Sequence, residues 1–119
     1  MYELNVEDKF AAAHQLVSYQ GPCENLHGHT WKIKLKVKGN KLNETGMLMD
    51  FQDLKKILKK IRDRFDHQFL NDILKFSPTS ENLAKYIFEQ AAKQLPRHIQ
   101  LAEVTVWESD ITSATYYND

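Results

Sequence analysis

The chain has 119 residues, and its 16 Lys plus Arg balance its 16 Asp plus Glu. That length suits one domain, residues 1–119, with a real core, and the neutral balance argues against a general nucleic-acid or membrane-surface role. One cysteine cannot close an intrachain disulfide, and no run reads as a secretion signal or a membrane span, so a cytoplasmic protein with a free thiol is expected.

Tyr2, Leu4, Val6 and Phe10 alternate with polar residues and predict a first strand. The same parity continues to Ala12 and His14, which puts His14 on the apolar side. The segment from Gln15 to Asn25 holds Gly21-Pro22 and reads as a loop. Cys23 and Glu24 lie on it, where catalytic residues are often carried. His27 and His29 follow, two residues apart, so on a strand they share a face. Gly28 between them lets the backbone approach a ligand closely.

The second strand is the clearest in the chain. Trp31, Ile33, Leu35 and Val37 alternate with Lys32, Lys34, Lys36 and Lys38. His27 and His29 have the parity of the apolar set, and the lysine row reads as a solvated face. Gly39-Asn40 begins a turn. Asp50 is a good N-cap for a helix from about Phe51 to Arg64, with Leu54, Ile57 or Leu58, Ile61 and Phe65 at helical spacing. Asp66-His67 stands at its end.

Pro78-Thr79-Ser80-Glu81 announces a second helix with the stripe Leu83, Ile87, Ala91 and Leu95, stopped by Pro96. Ala102, Val104 and Val106 predict the inner face of a third strand. Glu108 shares their parity; it either passes the strand end into solvent or serves a partner, since a carboxylate in a core is costly alone. Thr112 to Tyr117 predicts a last strand. The order strand, strand, helix, helix, strand, strand implies an α+β domain. A four-stranded antiparallel sheet would carry both helices on its apolar face. Its open edges invite pairing with other subunits.

Three imidazoles, His14, His27 and His29, without a fourth protein ligand form the pattern of a catalytic zinc that keeps one position open. A thiol near such a metal is a candidate acid–base group.

These residues resemble the 6-pyruvoyl-tetrahydropterin synthase superfamily, and within it the bacterial 6-carboxy-5,6,7,8-tetrahydropterin synthases of queuosine biosynthesis. The resemblance covers nearly the whole chain. It rests on Phe10 to His14, on Cys23 ahead of His27-Gly28-His29, on Gly46 to Phe51, on Asp66-His67, on Pro78 to Glu81 and on Trp107-Glu108. It implies the tunnelling fold (T-fold) and a homohexamer of two stacked trimers with sites at subunit interfaces. It matches His14, His27 and His29 to the ligands of one zinc per chain, and Cys23, Asp66 and His67 to the catalytic triad. Glu108 matches the pterin anchor, and Thr79 and Ser80 match residues lining the pterin pocket. The implied reaction is a lyase conversion of 7,8-dihydroneopterin triphosphate to 6-carboxytetrahydropterin, acetaldehyde and triphosphate. The alternatives are triphosphate elimination alone, as in 6-pyruvoyl-tetrahydropterin synthase, or a pterin- or metal-binding module without turnover. Glu24 raises a further option, a folate-type side activity releasing 6-hydroxymethyl-dihydropterin.

Overall fold

The computed structural model describes residues 1–16 and 27–118, with His27 described through its backbone. The elements are β1 (Tyr2–His14), β2 (His27–Gly39), α1 (Phe51–Phe65), β3 (Gln68–Phe69), α2 (Leu70–Ile73), α3 (Ser80–Ala92), β4 (Gln100–Ser109) and β5 (Thr112–Tyr116). They form one sheet in the order β3-β1-β2-β4-β5. β1, β2, β4 and β5 pair antiparallel, as the alternation in their sequences implies. The α+β architecture is the expected one, with two additions. β3 pairs parallel with β1 through Ala12 and Ala13 and makes a fifth strand, and α2 adds a single turn. Both are too short to leave a periodic signal.

α1 lies against β1, α3 lies against β4 and β5, and the two helices touch each other. The core fills the space between them and the sheet. Val6, Phe10 and Ala12 of β1 join Trp31, Ile33, Leu35 and Val37 of β2 and Val104 and Val106 of β4, all buried. From the helices come Leu54, Leu58, Ile61 and Phe65 of α1 and Leu83, Ala84, Ile87 and Ala91 of α3. Asp50 caps α1 by accepting from the Gln52 N–H. α3 ends at Ala92, three residues before Leu95, which packs on the core from outside the helix.

Ala102 departs from the expected phase. β2 pairs Lys36 with Glu103 but Val37 with Leu101, so Ala102 is the extra residue of a β-bulge. Leu101 therefore takes the buried position and Ala102 is left half-buried. A second irregularity lies further along β4. There Trp107 pairs with Ser113 and Ser109 with Thr112, so Glu108 is the unpaired extra residue. A bulge re-aims the side chain it carries.

The face away from the helices holds the lysine row. Lys36 reaches Glu103 at 2.8 Å, and Lys32 lies 4.2 Å over the Trp107 ring. These cross-strand partners hold the row's stems against the sheet, so its lysines are half-buried rather than fully solvated.

Candidate metal and substrate site

The site grows from the end of the β1–β2 pair. Antiparallel register sets Ala12 opposite His29, so His14 and His29 are diagonal neighbours on the inner face. Their rings lie edge-on, with centroids 5.2 Å apart. Trp31 sits beneath both, edge-on to His14 at 4.9 Å and to His29 at 5.5 Å. Its Nε1–H donates to the Ala12 carbonyl at 3.3 Å, and its ring stacks on Phe10 at 6.0 Å. Trp31 is therefore the wall between the apolar core and the histidines.

His14 is 1 % exposed. Its Nδ1 lies 2.8 Å from the Pro78 carbonyl oxygen. A carbonyl only accepts, so Nδ1 carries the proton and Nε2 is turned toward the site. The turn that begins α3 thus sets the tautomer of a residue 64 positions earlier. That turn is itself fixed. The Thr79 hydroxyl accepts from the Asn82 N–H, and the Asn82 side chain donates to the Ser77 carbonyl. Thr79 therefore serves as the N-cap of α3, and Ser80 is its first residue, half-buried. Just past His14, Asn71 of α2 holds Gln15 by two reciprocal hydrogen bonds, at 2.9 and 2.7 Å.

Glu108 completes the cluster. Its Oε1 stands 2.9 Å from His14 Nε2 and 2.9 Å from His29 Nε2. Among the described residues these three donor atoms form a group that could hold a metal ion, all within 4.8 Å of one another. Two imidazole nitrogens and a carboxylate oxygen are donors that zinc accepts, and the Pro78 carbonyl supplies the outer hydrogen bond that orients a histidine ligand. The donor set fits the metal that the sequence implies. Glu108 does face inward, as its parity suggests, and its partners are the histidines themselves.

Asp66 and His67 stand beside β1. Asp66 Oδ1 accepts from the Ala11 N–H at 3.0 Å, and the His67 N–H donates to the Ala11 carbonyl at 2.6 Å. The pair thus satisfies Ala11 as a neighbouring strand would, and β3 continues the pairing. His67 has a positive φ of 60°, a conformation uncommon outside glycine and most often taken there by Asn, Asp and His. Its side chain is 80 % exposed, with Nδ1 3.1 Å from Asp66 Oδ2. Arg62 approaches the same oxygen at 3.4 Å. The Ala11 N–H, and after it His67 and Arg62, hold the Asp66 carboxyl below the usual carboxylate range. His67 and His29 both line an open depression of ≈ 600 Å³, together with Ala13, Gly28 and Phe69. Among the described residues, and beyond its two chain neighbours, Gly28 has no atom within 4 Å of where a Cβ would stand. Cys23 and Glu24 lie outside the described residues, as does the side chain of His27.

The site residues that sequence reasoning missed are Pro78, through its carbonyl, and Asn71. Neither has a readable signal, because a backbone acceptor and an amide clamp belong to no motif.

The chain matches the family described as 6-pyruvoyl tetrahydropterin synthase over residues 3–119. It belongs to that family. Among its relatives is the 6-carboxy-5,6,7,8-tetrahydropterin synthase of Synechocystis, 38% identical over 125 residues, covering 99% of this chain and 95% of that protein. Another is the dihydroneopterin monophosphate aldolase of Pyrococcus furiosus, 37% identical, covering 85% of this chain and 84% of that one. The solved 6-pyruvoyl tetrahydropterin synthase of Caenorhabditis elegans superposes with a TM-score of 0.86 at 31% identity, covering 99% of this chain and 96% of that one. The T-fold implied by the sequence is therefore this chain's fold.

Proposed function

We propose that this chain is a zinc-dependent pterin lyase that converts 7,8-dihydroneopterin triphosphate and one water to 6-carboxy-5,6,7,8-tetrahydropterin, acetaldehyde and triphosphate, a step of queuosine biosynthesis; the water adds across the carbon–carbon bond that is cleaved and supplies the second carboxyl oxygen. The observation that carries the reading is the convergence of His14, His29 and Glu108 at the end of the strand pair, in a chain of this family. His14, His27 and His29 would hold the zinc. A zinc ion bound there supplies Lewis acidity, which lowers the cost of removing protons from side-chain hydroxyls and the carbons next to them.

The remaining chemistry falls to the chain's own groups. Cys23, as thiolate, removes a proton from the substrate side chain. His67, held by Asp66, returns protons as the elimination and the carbon–carbon cleavage proceed. Its exposure and its strained backbone support that role, because strain of this kind is retained at functional positions. The Glu108 carboxylate accepts two parallel hydrogen bonds from the pterin 2-amino group and N3–H. Thr79 and Ser80, at the start of α3, line the same pocket. Subunits joined edge to edge through the outer strands would complete the site in a hexamer.

A second reading has an observation in its favour, the near-equal identity to an aldolase acting on dihydroneopterin monophosphate. Aldol-type cleavage alone would release 6-hydroxymethyl-dihydropterin, and Glu24 would be its extra proton acceptor. One experiment separates the readings. The protein is incubated with 7,8-dihydroneopterin triphosphate, and the pterin and the small aldehyde are identified. 6-Carboxytetrahydropterin with acetaldehyde supports the proposal. A 6-pyruvoyl product with no aldehyde, or a 6-hydroxymethyl product, overturns it.

A further inference from the structure

Glu108 is asked to do one thing by the proposed reaction and is found doing another. Anchoring a pterin takes both carboxylate oxygens, facing the ring edge. In the folded chain one of them, Oε1, stands at 2.9 Å from two imidazole Nε2 atoms at once. With Nδ1 committed to the Pro78 carbonyl, a neutral His14 ring turns its Nε2 lone pair toward Glu108. A lone pair facing a carboxylate oxygen at that distance needs a proton or a cation between them. A metal ion meets the need for both histidines together. Atoms bound tetrahedrally to one zinc at about 2.0–2.1 Å stand roughly 3.3 Å apart, so the two 2.9 Å contacts and a group within 4.8 Å need only small adjustments to share one ion.

The backbone supports the same conclusion. Glu108 is the extra residue of the bulge between β4 and β5, so its direction is decoupled from the ladder. Its side chain is 28 % exposed, close to the 25 % of His29, against 1 % for His14. The carboxylate therefore has room to turn outward while His14 stays fixed by Pro78 and Trp31 and His29 stays placed by the register.

We infer that Glu108 is an exchangeable ligand, donating Oε1 to the metal between His14 and His29 in the substrate-free protein and leaving it for the pterin when substrate binds. This rests on the zinc reading above. It adds that the resting metal carries a carboxylate from β4, and that binding of the pterin ring opens a coordination position. Substrate recognition at one end of the molecule is thereby tied to access at the reacting end.

The test uses cobalt(II) as the probe in the full-length protein stripped of metal. Visible absorption reports the ligand set, and competition with a chelator reports affinity. Expected in Glu108→Gln and Glu108→Ala is a changed cobalt spectrum. Outer-shell partners alone are worth about 10- to 100-fold in metal affinity, so loss of a direct ligand weakens cobalt binding by at least about tenfold. Adding 6-carboxytetrahydropterin to the wild-type cobalt protein should move its spectrum toward that of the Glu108 variants. Circular dichroism checks that the variants are folded, and the two substitutions guard against one of them misfolding. If the spectrum and affinity are unchanged in both variants, Glu108 is no ligand and the inference falls while the zinc reading stands. If bound pterin leaves the wild-type spectrum unmoved, the exchange is wrong. Were His14→Ala to take up cobalt as tightly as wild type, the zinc reading would fail, and this inference with it.

Discussion

Along the inner face of β1 and β2 one alternation builds two environments. Toward one end, Val6, Leu35 and Val37 meet the helices and vanish from solvent. Toward the other, the same parity delivers His14 and His29, which meet Glu108 and the Pro78 carbonyl. The difference lies in what each needs from across the gap. An apolar side chain is satisfied by any close-packed surface, and its burial contributes about 1.5–3 kcal/mol. A buried imidazole needs partners at set distances, because an unmet polar group costs about 1–3 kcal/mol. So the apolar end could be built from periodic helices, whereas the polar end uses irregular parts: a bulge, a proline turn and a one-turn helix. Trp31 marks the border, with Phe10 on one side of it and both histidines on the other.

Substitutions on either side of Trp31 should separate the two environments. The largest effect is expected at the polar end. His14→Ala should lose nearly all bound zinc and with it turnover, while the apolar end keeps the chain folded; metal analysis beside circular dichroism checks both. Stoichiometric zinc in that variant would break the comparison, because His14 would then be only a buried core residue. Next comes Cys23→Ala, which should retain zinc and fold but turn over ~100- to 10,000-fold more slowly, the usual weight of a general acid–base group. Near wild-type rates would move the base elsewhere, with Glu24 the first to examine.

At the apolar end, Leu35→Ala should cost about 2–5 kcal/mol in denaturant unfolding. In the protein that remains folded it should leave zinc stoichiometry unchanged. A loss of metal as large as that in His14→Ala would show that the two ends are not separable. The smallest expected effect is one of pH. The Asp66 carboxyl is held below its ordinary value in the folded chain, chiefly by the Ala11 N–H. Its contribution is therefore complete above the unfolded value of about 3.9 and is lost as pH falls through the lower folded value. Thermal unfolding between neutral and acid pH should show a shallower acid limb in Asp66→Asn than in wild type. Parallel limbs would mean that the carboxylate does not stabilise the join between β1 and the end of α1.

The strands and long helices were legible because their patterns repeat. Alternation over Tyr2 to His14 and Trp31 to Val37, and the stripe of α1, needed no tertiary information. The same alternation put His14 and His29 on the inner face, and left Glu108 either facing inward with them or passing the strand end into solvent. What was not legible came in pieces too short to carry a period. β3 has two residues and α2 four, and a bulge is a single residue. The bulge at Ala102 moved the buried position to Leu101, and nothing in the run of alanine, glutamate and valine announces it. The lysines of β2 read as a solvated row because their partners, Glu103 and Trp107, come from a strand far along the chain.

The sequence by itself determined which side chains face inward wherever the strands run without a bulge, which residue types stand ready for a metal and a proton, and the family resemblance that its motifs carry. Only the tertiary structure decided that a carboxylate oxygen from β4 stands between two histidines, and that a carbonyl beside α3 sets the tautomer of His14. The physical reason is range. Facing is a local property, set by φ and ψ residue by residue. A contact of 2.9 Å between residues 94 and 79 positions apart depends on register, bulge and packing together.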